Sequence, residues 1–193
     1  FAAGLGTRLK PLTDVMPKAL VPVGGKPLLE ILIRKLVAAG FTEIVINVHH
    51  FSAQIVRFVE EHHSFGADIR FSDESGRLLE TGGGIKKAVP LLSECGEAES
   101  PFLIHNVDIL SNVNLTDFYR MGKEASAVLL VSERKTQRYL LFDEGNRLVG
   151  WTNVSTGEVR SPYAHLDVSV CRKYAFAGIH LFSPKLFAYF DAW

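Results

Sequence analysis

Phe1-Ala-Ala-Gly-Leu-Gly-Thr-Arg-Leu-Lys-Pro-Leu-Thr-Asp-Val-Met-Pro-Lys18 is the stretch that decides the fold. A short apolar stub, Phe1-Ala2-Ala3, breaks into a loop that carries Gly4, Gly6, Thr7 and Arg8 and continues to the Pro17-Lys18 pair. Glycines let bare main chain approach phosphate oxygens and take φ > 0 where the bend requires it. Successive N–H groups in such a bend form a concavity that binds anions. Arg8 and Lys18 can add the positive charge that a nest of amides lacks.

Two better-known phosphate loops fail on their own patterns. A Gly-x-Gly-x-x-Gly fingerprint needs a third glycine where Leu9 stands. A Walker loop needs Ser or Thr after Gly-Lys, but Gly25-Lys26 is followed by Pro27, and Leu20 occupies the place of its first glycine.

Working outward, strand and helix patterns alternate. Phe1 to Ala3 reads as the end of a first strand. Pro27 to Ala39 reads as a helix, with Pro27 at its first position, Leu28, Ile31, Leu32 and Leu36 at helical spacing and Gly40 as a stop. Glu43 to Val48 is a buried strand, Ser52 an N-cap for a helix to His62, and Ile69 to Phe71 a further strand. Thr81 to Gly84 reads as a loop, with a helix from Gly84 to Leu92. Phe102 to Asn106 is a strand ending at Val107-Asp108, and Ala127 to Val131 another. This alternation implies a mostly parallel sheet with helices on both faces. Arg138 to Phe142, Arg147 to Asn153 and Tyr174 to Phe182 read as strands without intervening helices, a mixed extension of the same sheet. Ligands in such sheets bind beyond the carboxyl ends of the strands, and Gly4 to Arg8, Thr81 to Gly84 and Asp108 all fall there.

The 193 residues suit one domain, and 47% hydrophobic against 22% charged content supplies a core and argues against disorder. Lys plus Arg and Asp plus Glu both number 21, so the chain lacks the basic excess of a nucleic-acid binder. No apolar run approaches the ~18 residues of a membrane span. Cys95 and Cys171 show no metal or redox spacing and read as free thiols of a reducing, cytoplasmic compartment. The pairs His49-His50 and His62-His63 read as solvated or packing histidines, because adjacent side chains point apart. Phe1 opens inside a core strand and Trp193 falls within a helix that starts near Pro184, so a piece of a longer polypeptide is expected.

Ala2 to Thr13, Pro17-Lys18 and Val21 to Leu28 together resemble the signature of the sugar-1-phosphate nucleotidylyltransferases. The resemblance implies a Rossmann-like α/β three-layer sandwich with a mostly parallel mixed sheet, forming a single nucleotidyltransferase domain over residues 1–193. It implies substrates of nucleoside triphosphate and sugar 1-phosphate, with Mg²⁺ as cofactor, no nucleic acid or membrane partner, and room for a homo-oligomer. By the same resemblance Ala2, Ala3, Gly4, Gly6 and Thr7 line the nucleotide phosphates, and Thr81, Gly82 and Gly83 read the base. Arg8 holds the departing phosphates, and Lys18 lies near the α-phosphate and the incoming sugar phosphate. Lys26 also matches a family lysine, with a structural role as the alternative.

Asp108 stands where the family carries its magnesium aspartate, with Val107 replacing the usual glycine. The family's second metal aspartate, in an Asp-Val-Gly-Thr-Pro-like motif, does not occur in this sequence. Phe176-Ala-Gly-Ile-His resembles the strand bordering the sugar pocket. Gly178 is the close-approach position of that strand, and Asn106, Asn153 and Glu158 are the candidate sugar-phosphate ligands, although the family's usual sugar contacts do not carry over to this sequence. The usual Glu-Lys pair is replaced by Gly150-Trp-Thr-Asn153. Glu43-Ile-Val-Ile-Asn and Leu79-Glu-Thr-Gly-Gly-Gly-Ile are most similar to the N-acetylmuramate-1-phosphate uridylyltransferase branch, which favours uridylyl transfer. Mannose- or heptose-1-phosphate guanylyltransferases and a non-catalytic nucleotide-sugar sensor are the alternatives.

Overall fold

Gly24 and Gly25 both take positive φ, 59° and 82°, and close a two-residue turn between β1 (Pro22–Val23) and β2 (Lys26–Pro27). Such a turn matches the twist of an antiparallel hairpin, and Gly25-Lys26 is thereby used in a turn. The structure, a computed structural model, describes residues 1–76, 79–94 and 100–192. Cys95 lies outside the described residues; Cys171 is a free thiol.

α1 (Leu28–Ala38) follows the hairpin, with Pro27 capping it instead of forming its first turn. Its buried face is Leu28, Leu29, Leu32 and Ile33, while Ile31 and Leu36 of the expected set are half-buried, so the apolar stripe is helical but turned towards Leu29 and Ile33. β3 (Glu43–Val48) and β4 (Asp68–Asp73) then pair in parallel, from Glu43 opposite Asp68 to Val48 opposite Asp73. A parallel pair needs a crossover, and α2 (Ser52–Glu61) supplies it. Ser52 is not the N-cap expected from the sequence. It is the first helical residue, and the cap position is Phe51, in the left-handed region at φ 57° with no side-chain cap bond.

α3 (Glu80–Ser93) begins ahead of Gly84, so Thr81, Gly82 and Gly83 form its first turn and not a loop. Glycine disfavours helix, but the preceding Leu79 N–H is tied to a carboxyl oxygen of Glu74 at 3.2 Å, which sets the direction of entry. β5 (Phe102–His105) is followed by α4 (Leu115–Gly122), a helix absent from the sequence expectation. Asn114 caps it by accepting the Asp117 N–H at 3.1 Å. Beyond it lie β6 (Ala127–Ser132), β7 (Arg138–Phe142), β8 (Leu148–Asn153), β9 (Glu158–Arg160), β10 (Arg172–Phe182) and a 3-10 run over Pro184–Ala192.

Cα packing divides the chain into two compact units, Phe1–Val128 with the residues from Leu181 onward, and Leu129–His180. In the first, Leu29, Ile33, Val48, Ile55 and Val59 are at most 2% exposed and centre the core. Burying each contributes about 1.5–3 kcal/mol relative to exposure. The second is an antiparallel meander, β7–β8–β9, with β10 pairing the other side of β7 from Arg172 opposite Phe142 to Tyr174 opposite Leu140. Leu141, Ala175 and Ile179 are fully buried there. The architecture is α/β. Among the described residues β3–β4 is a two-stranded parallel pair and β7–β8–β9 is antiparallel, whereas the sequence pattern leads one to expect a mostly parallel sheet.

Phe1 to Ala3 carries no strand assignment, yet Phe1 bonds as a parallel strand would. Its nitrogen donates to the His105 carbonyl at 2.6 Å and its carbonyl accepts the Val107 N–H at 3.0 Å, so it brackets Asn106. Ala2 N–H donates to Asn47 Oδ1 on β3 at 2.7 Å. The stub thus lies against the ends of both β3 and β5. Residues of these three segments also line a cavity of about 470 Å³.

Candidate active site

Gly6 organises the bend. It sits at φ 64°, and its carbonyl accepts from Leu9 N–H and from the Thr13 hydroxyl, both at 2.8 Å. A Cβ there would lie 2.7 Å from Thr13 Cγ2 and 3.0 Å from Lys18 Cβ. The glycine is therefore required by conformation and by the closeness of Lys18. Gly6→Ala is expected to cost about 2–4 kcal/mol, from left-handed strain plus overpacking. A denaturant titration checks this; an unchanged midpoint would show that the crowding is relieved without cost.

Lys18 opens a 3-10 turn, Lys18–Leu20, whose middle residue Ala19 is fully buried, so the turn is pinned to the core. Its ammonium forms an ion pair with the Asp108 carboxylate. Asp108 is fixed by its neighbour Val107, which is 4% exposed in the core cluster and bonded to the Phe1 carbonyl. Valine in place of the usual glycine is thus a core residue. The Lys18 and Asp108 side chains remain 24% and 36% exposed. A pair of that kind adds at most about 1 kcal/mol to stability. Its importance is positional, because it brings the glycine bend and the end of β5 to one point.

Arg8 is exposed in the 3-10 turn Thr7–Leu9 and has no ion-pair partner among the described residues. Gly4 and Thr7 are exposed beside it, while Ala2 and Ala3 are buried and anchor the start of the bend. Thr81 and Gly82 are exposed on the first turn of α3. They present N–H groups without intrahelical partners, so the correction from loop to helix leaves them able to donate.

Glu74 was not singled out from the sequence. It follows β4, is fully buried, and joins Asn47 on β3 to Leu79 ahead of α3. The available signal was Asn47 itself, an amide inside the apolar run Ile44 to Val48. His49 donates from Nδ1 to the Glu74 carbonyl at 2.7 Å, and His62 donates to the Phe58 carbonyl at 2.7 Å, so each of these two histidines is held by a main-chain carbonyl. Asn106 lies between His105 and Val107, its carbonyl accepting from His105 Nδ1 at 2.8 Å and Ile109 N–H at 3.2 Å.

His105 is buried, and burial lowers its pKa from 6.5 to about 4, opposed by its bond to the Asn106 carbonyl. Nδ1 donates that bond, so Nε2 carries the lone pair. Nε2 has no partner, and protonation would bury an unpaired N–H. The folded pKa is depressed, so the unfolded chain takes up the proton first as pH falls. The stability held by neutral His105 is complete above about pH 6.5 and is lost progressively towards pH 4, by about 3 kcal/mol at most. Denaturant midpoints at pH 7 and pH 4.5 should show this loss, and His105→Gln should flatten the dependence.

Of the sugar-side candidates, Asn106 lies in the first unit and Asn153, Glu158 and Gly178 lie in the second. Asn153 Oδ1 accepts from Ser155 N–H at 3.1 Å and its hydroxyl at 2.7 Å, shaping the turn before β9. Glu158 pairs with Arg160 at 2.7 Å, and that guanidinium stacks 5.2 Å from the Trp151 ring centroid. Gly178 takes φ 77° in the middle of β10.

Among the described residues no group of three or more His, Cys, Asp or Glu is arranged to hold a metal. Asp108, one exposed carboxylate beside a glycine bend, fits a hard cation shared with phosphate oxygens, the usual arrangement for Mg²⁺. Among the described residues no helix is long and apolar enough to cross a membrane.

Over 116 residues the chain is 44% identical to an N-acetylmuramate alpha-1-phosphate uridylyltransferase of Neisseria meningitidis serogroup B, covering 60% of this chain and 48% of that protein. It is 33% identical over 143 residues to a mannose-1-phosphate guanyltransferase of Hypocrea jecorina, covering 72% of this chain and 38% of that one. The chain spans about half the length, or less, of these curated relatives. In fold it is similar to HddC of Yersinia pseudotuberculosis, solved with GMP-PN, at a TM-score of 0.72 and 22% identity over 96% of this chain and 76% of that one. An apo UDP-glucose pyrophosphorylase is similar at a TM-score of 0.71 and 15% identity over 99% and 77%. The nucleotidyl transferase family profile matches residues 1–142, which hold the bend, Lys18, Asp108 and the first turn of α3, and the chain belongs to that family.

Proposed function

We propose that the protein joins a nucleoside triphosphate to a sugar 1-phosphate, releasing pyrophosphate, with UTP as donor. The observation that carries this reading is the Lys18–Asp108 pair beside Gly6, which places a cation and a carboxylate at one glycine bend. A sugar-phosphate oxygen attacks the α-phosphorus, the bond to the departing pyrophosphate breaks, and the negative charge leaves with pyrophosphate. The nucleophile is already an anion, so no strong base is needed and catalysis is positioning plus charge neutralisation. Arg8 holds the departing phosphates and Lys18 steadies the α-phosphate against the incoming one. Asp108 would hold Mg²⁺ together with phosphate oxygens, and the ion when bound supplies further charge neutralisation. Thr81 and Gly82 donate backbone N–H groups to the base, with Gly83 offering bare backbone beside it, while Asn106, Asn153, Glu158 and Gly178 are the sugar-side candidates.

The 44% identity to a uridylyltransferase favours UTP and an N-acetylmuramate-like acceptor. Guanylyl transfer is the second reading, favoured by the longer match to the mannose-1-phosphate enzyme. The whole fold is read as a Rossmann-like three-layer sandwich with a mostly parallel mixed sheet, working as one nucleotidyltransferase domain in the cytoplasm. Likeness to HddC and to an apo UDP-glucose pyrophosphorylase over nearly the whole chain supports the fold reading.

Pyrophosphate release with UTP, GTP, ATP and dTTP against a panel of sugar 1-phosphates tests the reading. Release with UTP and an N-acetylated amino sugar 1-phosphate is expected. Nucleotide binding without release under every pairing would contradict catalysis and leave a sensor.

A further inference from the structure

We infer that Glu74 is a positioning residue that locks the phosphate-binding bend to the base-reading turn of α3; this rests on the nucleotide site proposed above. Glu74 is fully buried, and each of its carboxyl oxygens faces a different donor. Oε1 accepts Asn47 Nδ2 at 2.8 Å and Oε2 accepts the Leu79 N–H at 3.2 Å. Asn47 is in turn oriented by Ala2, whose N–H donates to Oδ1 at 2.7 Å.

The relay therefore has one direction: Ala2 N–H to Asn47, Asn47 to Glu74, and Leu79 N–H to Glu74 from the other side. Flipping the Asn47 amide would set its NH₂ against the Ala2 N–H, so its orientation is fixed. The terminal group must then accept at both oxygens, and an amide at position 74 would turn its NH₂ donor against one of the two N–H donors, Asn47 Nδ2 or Leu79 N.

Packing points the same way. A Cβ at Gly84 would lie 2.9 Å from Glu74 Oε1 and 2.8 Å from Phe1 Cε1. The bare helix backbone is what lets α3 seat against the carboxyl group and the aromatic ring at once. Ala2 begins the bend and Leu79 immediately precedes the turn carrying Thr81 to Gly83, so the relay spans the two arms that a nucleotide must bridge.

The test compares two ligands on the unsubstituted chain and on Glu74→Gln by calorimetric titration with Mg²⁺ present. UTP spans both arms, whereas inorganic tripolyphosphate uses the bend alone. Glu74→Gln is expected to weaken UTP at least tenfold and to leave tripolyphosphate within twofold. Gly84→Ala, which crowds the same oxygen while keeping Glu74, should shift the two ligands in the same pattern. Thermal melts are run alongside, because a merely structural role would lower affinity for both ligands together. Equal weakening of both, or no change in UTP, overturns the inference. Absence of UTP binding by the unsubstituted chain overturns the nucleotide reading and this inference with it, and is thereby distinguished from a failure of Glu74 alone.

Discussion

Lys18→Ala is expected to lower kcat/KM for pyrophosphate release by about 10²–10³, the scale for removing one electrostatic donor aimed at transition-state charge. The reason lies in where the ammonium is held. Ala19 is fully buried next to it and Gly6 leaves room for its stem, so Lys18 is placed before substrate arrives. A preorganised cation stabilises developing charge without reorganising at the moment of reaction. Lys18→Arg should recover only part of the loss, because a planar fork does not replace a compact point charge at that crowded stem. Stability should change by less than about 1 kcal/mol, since the pair with Asp108 is partly exposed. Steady-state kinetics with a parallel melt checks both; normal turnover in Lys18→Ala would remove the lysine from the chemistry.

Asp108→Asn is expected to be at least as damaging, about 10³ or more in kcat/KM. The amide keeps the shape of the side chain but loses the anionic oxygen that a hard cation prefers. It also releases Lys18 from its partner. The two variants should differ in one diagnostic way: raising Mg²⁺ restores part of the activity of Asp108→Asn and none of Lys18→Ala. Magnesium titrations of both variants give the comparison. Identical magnesium responses would mean that Asp108 serves only to orient the lysine.

The bend was legible in the sequence from its residue types, whereas Asp108, an ordinary turn former when taken alone, was pointed to by the family resemblance. Two glycines, an arginine and a Pro-Lys pair after an apolar stub have few structural uses together, and the fold brings Gly6, Lys18 and Asp108 to one place. The β3–α2–β4 unit was equally readable, since apolar spacing sets both its helix and its strands. Glu74 was not readable, because a glutamate at a strand end is normally exposed and only the tertiary pairing with Asn47 and Leu79 buries it. The early start of α3 was missed for the same reason: glycine propensity argues for a loop, and the Glu74 tie overrides it. α4 escaped because its Met121 stays exposed and its buried residues are few, although Asn114 and Asp117 formed a readable cap.

The most direct measurement is paramagnetic broadening of backbone amides in the ¹⁵N-labelled chain when Mn²⁺ and UTP are added together. One metal-bound triphosphate between the bend and the end of β5 should broaden the Gly6 and Asp108 amides together, and Asp108→Asn should abolish both effects. Broadening of either amide without the other, or of neither, would contradict a shared site.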